Sequence, residues 1–188
     1  VVMISVANEP ATEEDSSREY FKGVIEHTRS LTNLPITLPE VTKLEQVSKV
    51  ADLVDFTALN RYYGWYEEHG FLNKTQEKFL SELTAWHEKY GKPIIVTEFG
   101  ADTIEGYHSL PSEAFSEEYQ CEMLAECCAA FDKMPFVVGE HVWNFADFKT
   151  KQGVIRVRGN RKGIFTRERQ PKAAAFFLKK RWSELNEK

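Results

Sequence analysis

A chain of 188 residues can bury one sizeable core, but it falls short of the roughly 250 residues that a complete eight-stranded α/β barrel uses. Its composition, 42% hydrophobic and 13% aromatic, is that of a globular protein, and no apolar run approaches the roughly 20 residues needed to cross a bilayer. The net charge of −5 gives no general reason to expect a nucleic-acid partner.

Val1 to Ala7 reads as a strand from its first residue, with no initiator methionine, so the segment is expected to be a piece of a longer chain; no signal peptide is recognisable. The strand ends at Asn8-Glu9-Pro10, where the proline forces Glu9 away from helical geometry. From Ser16 on, Phe21, Val24, Ile25, Thr28 and Leu31 recur at steps of three and four, which predicts an amphipathic helix with a serine available as its cap. Pro35 to Leu38 is a weak strand, and Val41 to Val50 reads as a short helix.

Leu53 to Leu59 is predicted as a strand running into Asn60-Arg61-Tyr62-Tyr63-Gly64-Trp65-Tyr66. Aromatics at that density suit the faces and edges of a sugar, or else form a lid packed on itself. A helix over Lys74 to Tyr90, with Phe79, Leu83, Trp86 and Tyr90 inward and Gly91 as C-cap, leads to Ile94-Ile95-Val96-Thr97-Glu98. That apolar run, bounded by Pro93 and Gly100, is a strand buried on both faces that ends in a carboxylate. A helix from about Ser116 turns Leu124, Cys127, Cys128 and Phe131 inward, a strand from Phe136 ends in Trp143-Asn144-Phe145-Ala146-Asp147, and Pro171 opens a last helix with Ala175, Leu178, Trp182 and Leu185 inward.

Cys121, Cys127 and Cys128 lie on one helix, one pair adjacent, which suits reduced side chains in a reducing compartment such as the bacterial cytoplasm more than a disulfide framework. The sequon Asn73-Lys74-Thr75 decides nothing. Strands alternating with helices imply an α/β fold with right-handed crossovers, and polar residues gathered at strand C-termini favour a (β/α)8 barrel, of which about strands 4 to 8 are present. There is no glycine-rich phosphate fingerprint, no G-x-S-x-G elbow and no H-E-x-x-H, and the five histidines lack metal spacing, so neither a metal nor another cofactor is expected. Arg156 to Lys172 carries seven basic residues against one acidic, a weaker pointer to a nucleic-acid patch. If Glu9 and Glu98 end the fourth and seventh strands, they face each other across the barrel mouth; two carboxyls about 5 to 5.5 Å apart are what a retaining glycosidase uses.

Asn8-Glu9-Pro10, Asn60 to Tyr66, Thr97-Glu98-Phe99-Gly100-Ala101-Asp102, Trp143 to Phe148 and Gly159-Asn160-Arg161-Lys162-Gly163 to Arg167 resemble the C-terminal half of a β-glucuronidase of glycoside hydrolase family 2. The resemblance implies Glu98 as nucleophile and Glu9 as acid/base in a retaining exo-hydrolase of β-D-glucuronides. It places Asn8 on the sugar 2-hydroxyl, Tyr62 beside the nucleophile, Asn60, Tyr66, Trp143 and Arg156 in the sugar subsite, and Asn160 and Lys162 on the glucuronate carboxylate. Asn160 and Lys162 stand two apart between glycines, so in an extended loop they point the same way. The alternatives are a hydrolase of another β-glycoside, such as a galacturonide or galactoside, and a non-catalytic carbohydrate-binding remnant. The resemblance also implies that residues 1–188 are the C-terminal portion of a TIM-barrel catalytic domain whose N-terminal sandwich domains and first strands are not represented, and that the full protein is a homo-oligomer, a tetramer among the possibilities, without membrane or nucleic-acid partners. Between Leu34 and Ala51 the chain departs from the family pattern, leaving the fifth strand open.

Overall fold

Strands separated by helices or long loops meet side by side in parallel, since only long connections allow that pairing. The computed structural model, which describes residues 1–186, has this arrangement. β1 (Ile4–Ser5) pairs parallel with β2 (Ile36–Thr37), β3 (Pro39–Glu40) with β4 (Thr57–Asn60), and β4 with β5 (Ile94–Phe99); β6 (Val137–Val142) lies beside β5. β2 and β3 belong to one extended run: Ile4, Val6 and Glu9 donate their N–H groups to the carbonyls of Pro35, Thr37 and Pro39 on one side, while Pro39 and Glu40 pair with Ala58 and Leu59 on the other. Five strand positions therefore follow in chain order.

α1 (Asp15–Leu31) follows β1, α2 (Leu72–Tyr90) follows β4, α3 (Glu117–Phe131) follows β5 and α4 (Ala173–Asn186) follows β6. Gly91 takes φ +65° and its N–H closes on His87 O at 2.7 Å, the left-handed stop expected of it. Ser116 caps α3, its Oγ accepting the Tyr119 N–H at 3.1 Å. The described residues cluster into two compact units: Val1–Arg61 with Phe79–Glu98 and Phe131–His141, and Tyr62–Lys78 with Phe99–Ala130 and the chain from Val142. The first is built on Phe21, Ile25, Ile36, Leu38, Val50 and Val54; the second buries Tyr119, Met123, Leu124, Cys127 and Cys128 along α3.

Several expectations are corrected. Regular strand in the opening stretch is confined to Ile4–Ser5, and Val1 and Val2 are exposed. The fifth strand continues through Glu40, because Pro39 opens its β3 part, at the first residue, where no N–H partner is needed, and Val41 to Val50 holds only the 3-10 turn Leu44–Gln46. Thr57–Asn60 is the regular part of the next strand, Leu53 and Val54 falling in turns. α1 begins after Glu14 with no side-chain cap, and Ser17 instead donates to Ala11 O at 2.5 Å. Leu31 is exposed, as are Trp182 and Leu185, while Leu178 is buried. No helix among the described residues is long and apolar enough to cross a membrane.

Candidate active site

Three of the strands in the first unit end in a carboxylate or lead into one. Glu9 follows β1 in the left-handed region, φ +49°, which removes it from right-handed helix as its proline requires and costs a non-glycine residue about 1–3 kcal/mol. Glu98, nearly buried, lies in β5 opposite Asn60, where the β4–β5 register shifts between Leu59 and Asn60. The Asn60 Nδ2 donates to Glu9 Oε1 at 2.8 Å and to Asn8 Oδ1 at 3.3 Å, and its Oδ1 accepts from Thr97 Oγ1 at 2.6 Å. One buried amide thus joins Asn8, Glu9 and the β5 residue that precedes Glu98. The third carboxylate, Glu40, was not singled out from the sequence. It is buried at the end of β3, and its Oε2 accepts from Thr12 Oγ1 at 2.5 Å. Burial pushes its carboxyl above the usual range, while hydrogen bonds from Thr12 and Ser48 oppose the rise.

Arg61 fixes these strand ends. Its side chain is 1% exposed; Nε meets Glu82 Oε2 at 2.8 Å, and the terminal nitrogens donate to the carbonyls of Glu40, Asn60 and Thr42. Its N–H donates to Glu98 O at 2.8 Å.

In the second unit the aromatic loop divides. Tyr63 and Trp65 are buried, Trp65 packing against Phe115 and Tyr119, so that half is the self-packed arrangement. Tyr62 and Tyr66 meet edge-on, centroids 4.9 Å apart, and both look onto Lys162. Lys162 is fully buried; its Nζ pairs with Asp102 Oδ2 and donates to Tyr66 Oη at 2.7 Å. Arg156 approaches the same Asp102 oxygen at 3.9 Å and lies 5.6 Å from the Tyr66 ring centroid. A solvated basic loop is thereby ruled out.

Asn160 stands two residues before Lys162 on the same loop. It is buried, and its Oδ1 accepts the Lys162 N–H at 3.1 Å, closing a local turn that shapes the loop. Trp143 is half-buried and packs edge-on against Phe148. The Asn160 to Phe165 segment runs along Asn144 to Phe148 through paired backbone hydrogen bonds, and an added Cβ on Gly163 would collide with Asp147 N and Phe165 O, so only glycine fits there. Asp147 accepts from Gly163 N, Arg161 and the fully buried Lys172. Burial pushes the Asp147 carboxyl up and the Lys172 ammonium down, each opposed by the other. The basic stretch from Arg156 to Lys172 is therefore no continuous exposed patch: Arg161, Lys162 and Lys172 turn inward onto carboxylates, while Arg158, Arg167 and Arg169 stay exposed. The sequence singled out neither Asp102 nor Asp147 nor Lys172 for a partner, although a carboxylate four residues beyond Glu98, directly after the apolar Phe99-Gly100-Ala101, was a signal.

Strand-end carboxylates, one of them held by a neutral amide that also reaches the strand of the other, suit acid/base and nucleophilic work. A buried lysine walled by aromatic faces suits a compact anion attached to an apolar ring.

Residues 1–187 match the model for the TIM barrel domain of the glycosyl hydrolases family 2. A "Beta-glucuronidase" of Paenibacillus borealis is 48% identical over the whole chain, which covers 31% of that protein. Solved β-glucuronidases from an uncultured Clostridium sp. and from Dictyoglomus thermophilum superpose with TM-scores of 0.95 and 0.94, at 49% and 54% identity over 98% and 97% of this chain and 32% of theirs. The chain thus spans about a third of the length of the relatives it matches. With its parallel strands, its strand-end carboxylates and this match from end to end, the chain belongs to glycoside hydrolase family 2, as part of its TIM-barrel domain.

Proposed function

We propose that the chain is the C-terminal portion of the catalytic barrel of a longer, multidomain β-glucuronidase, a retaining exo-hydrolase of β-D-glucuronides. The observation that carries this reading is the Asn60 amide, which holds Glu9 and the Glu98 strand in one hydrogen-bonded set. In the mechanism, Glu98 attacks the anomeric carbon while Glu9 protonates the departing glycosidic oxygen; Glu9 then takes a proton from water, which displaces Glu98 and restores the β configuration. Asn8 and Asn60 bind sugar hydroxyls, Tyr62 supports the nucleophile, Tyr66, Trp143 and Arg156 line the sugar, and Asn160 and Lys162 take the uronate carboxylate. The buried, paired state of Lys162 supports that assignment, since an ammonium held ready in a dry aromatic wall gains most from a carboxylate. Three thiols on one helix fit a cytoplasmic enzyme, and the family resemblance supports a homo-oligomer.

The test compares variants of the full-length protein on an activated aryl glucuronide, an alkyl glucuronide and a neutral β-glycoside. Glu98→Gln should abolish turnover; Glu9→Gln should spare part of the aryl reaction and lose the alkyl one, because only a poor leaving group needs the acid. Lys162→Ala should lower glucuronide kcat/KM by about one to two powers of ten and leave the neutral glycoside unchanged, since a charge-assisted bond contributes about 1.5–3 kcal/mol. Equal losses on all three substrates would overturn the assignment.

A further inference from the structure

We propose that Asp102 is a positioning and specificity-determining residue, which keeps the Lys162 ammonium charged and aimed so that the site selects a uronic acid over a neutral sugar. The proposal rests on the uronate reading of Lys162 given above. Asp102 is itself buried, and it works with both oxygens: Oδ2 meets Lys162 Nζ, while Oδ1 accepts the Arg161 N–H at 2.7 Å. One carboxylate therefore fixes the charged tip and the backbone of the loop that carries it. Gln120, reaching from α3, supports the same geometry. Its Nε2 donates to the carbonyls of Ala101, Lys162 and Gly163 at 3.2, 3.2 and 3.3 Å, tying the segment that leads into Asp102 to the Lys162 loop.

The charges facing Lys162 make the role specific. They include the Asp102 carboxylate and the Arg156 guanidinium, alongside the phenols of Tyr62 and Tyr66 and the indole of Trp65. Two cations share the one Asp102 carboxylate, an arrangement that suits a further anion such as a uronate. Without Asp102, a fully buried ammonium would face a second cation across aromatic rings, and both burial and like charge favour the neutral amine. A neutral amine offers a carboxylate no charge, so uronate recognition would fail while neutral sugars felt little.

The experiment is steady-state kinetics of full-length Asp102→Asn on an aryl β-D-glucuronide and an aryl β-D-glucoside between about pH 5.5 and 8.5, a span in which a lysine whose charge is disfavoured can change its protonation state. Glucuronide kcat/KM should fall about ten- to a hundredfold at the alkaline end, mainly through KM, and recover several-fold at the acid end as Lys162 regains its proton; the glucoside profile should stay that of the unaltered enzyme. Asp102→Glu, which keeps the charge, should restore the unaltered pH profile. A loss that is the same at every pH, or that falls equally on the glucoside, would reduce Asp102 to a brace and overturn the proposal. A second measurement needs no variant: inhibition of the unaltered enzyme by free D-glucuronate should stay flat above neutrality, and a progressive loss there would overturn the proposal even if Asp102→Asn does not fold. An unaltered enzyme with no glucuronide activity would overturn the substrate reading and this proposal together, whereas good glucuronide activity with a pH-independent loss in Asp102→Asn overturns this proposal alone.

Discussion

Replacing Arg61 by methionine should be among the most destabilising single changes available to this chain. The methionine fills most of the volume, so the loss is almost wholly polar. The change takes the guanidinium from a Glu82 carboxylate that is only 10% exposed and from the carbonyl oxygens of Glu40, Asn60 and Thr42. Breaking a buried ion pair from one side costs about 3–5 kcal/mol, and each buried carbonyl that loses its donor adds about 1–3 kcal/mol. The sum reaches the whole stability of an ordinary domain, about 5–15 kcal/mol. Adding Glu82→Gln to Arg61→Met removes the charge left behind, so the double variant should regain about 1–3 kcal/mol over Arg61→Met alone. Urea midpoints of the full-length protein and its three variants, read as a double-mutant cycle, give the coupling. Additivity within about 0.5 kcal/mol would show that the guanidinium and Glu82 do not act as a pair, and the reasoning would fail.

Glu40→Gln should change stability with a definite sign in pH. The Glu40 carboxyl titrates higher folded than unfolded, so its contribution is full below the unfolded value and is lost as pH rises through the folded one; the melting temperature of Glu40→Gln relative to the unaltered protein should therefore climb from about pH 4 towards neutrality, and a constant gap would refute this. Burial, with Glu117, Glu118 and Glu122 nearby, pushes the Cys121 thiol up to about 11, leaving about 0.1% thiolate at pH 8. Together with the buried Cys127 and Cys128 it should resist alkylation in the native protein and react at once in denaturant; equal rates in both would contradict the burial.

The strand that ends in Glu98 was legible because its hydrophobic run, its bounding proline and its terminal carboxylate all lie within one local window, and Gly91 marked the helix end for the same reason. The fifth strand was not. It changes partner at Leu38 and contains a proline, so its order comes from neighbours at Ile4 to Glu9 and Ala58 to Leu59 and from nothing local. The candidate site divides along the same line. Glu9 and Glu98 could be placed from strand ends alone. The partners Asp102 for Lys162, Asp147 for Lys172 and Glu82 for Arg61 are 60, 25 and 21 residues away in sequence, and a cation's burial is invisible without them. Asn160 adds a local detail that spacing could not supply: its Oδ1 accepts the Lys162 N–H, which leaves the Nδ2 donors for other work.

The Asn60 amide has a stereochemical consequence for proton delivery. Its orientation follows from its partners: an ionised Glu9 only accepts, so it takes Nδ2, and the Thr97 hydroxyl is left to donate to Oδ1 on the other side. A donor resting on Oε1 makes that oxygen the acceptor of the pair, so in the acid role proposed for Glu9 the proton resides on Oε2. The two oxygens of one carboxyl are thereby made inequivalent, and under the proposed function the side from which a leaving group is protonated is set by an amide on the neighbouring strand. Thr97→Val would remove the donor that steadies the Asn60 carbonyl and loosen its hold on Glu9 Oε1, so under the proposed function it should slow alkyl glucuronides more than aryl ones without touching either carboxylate.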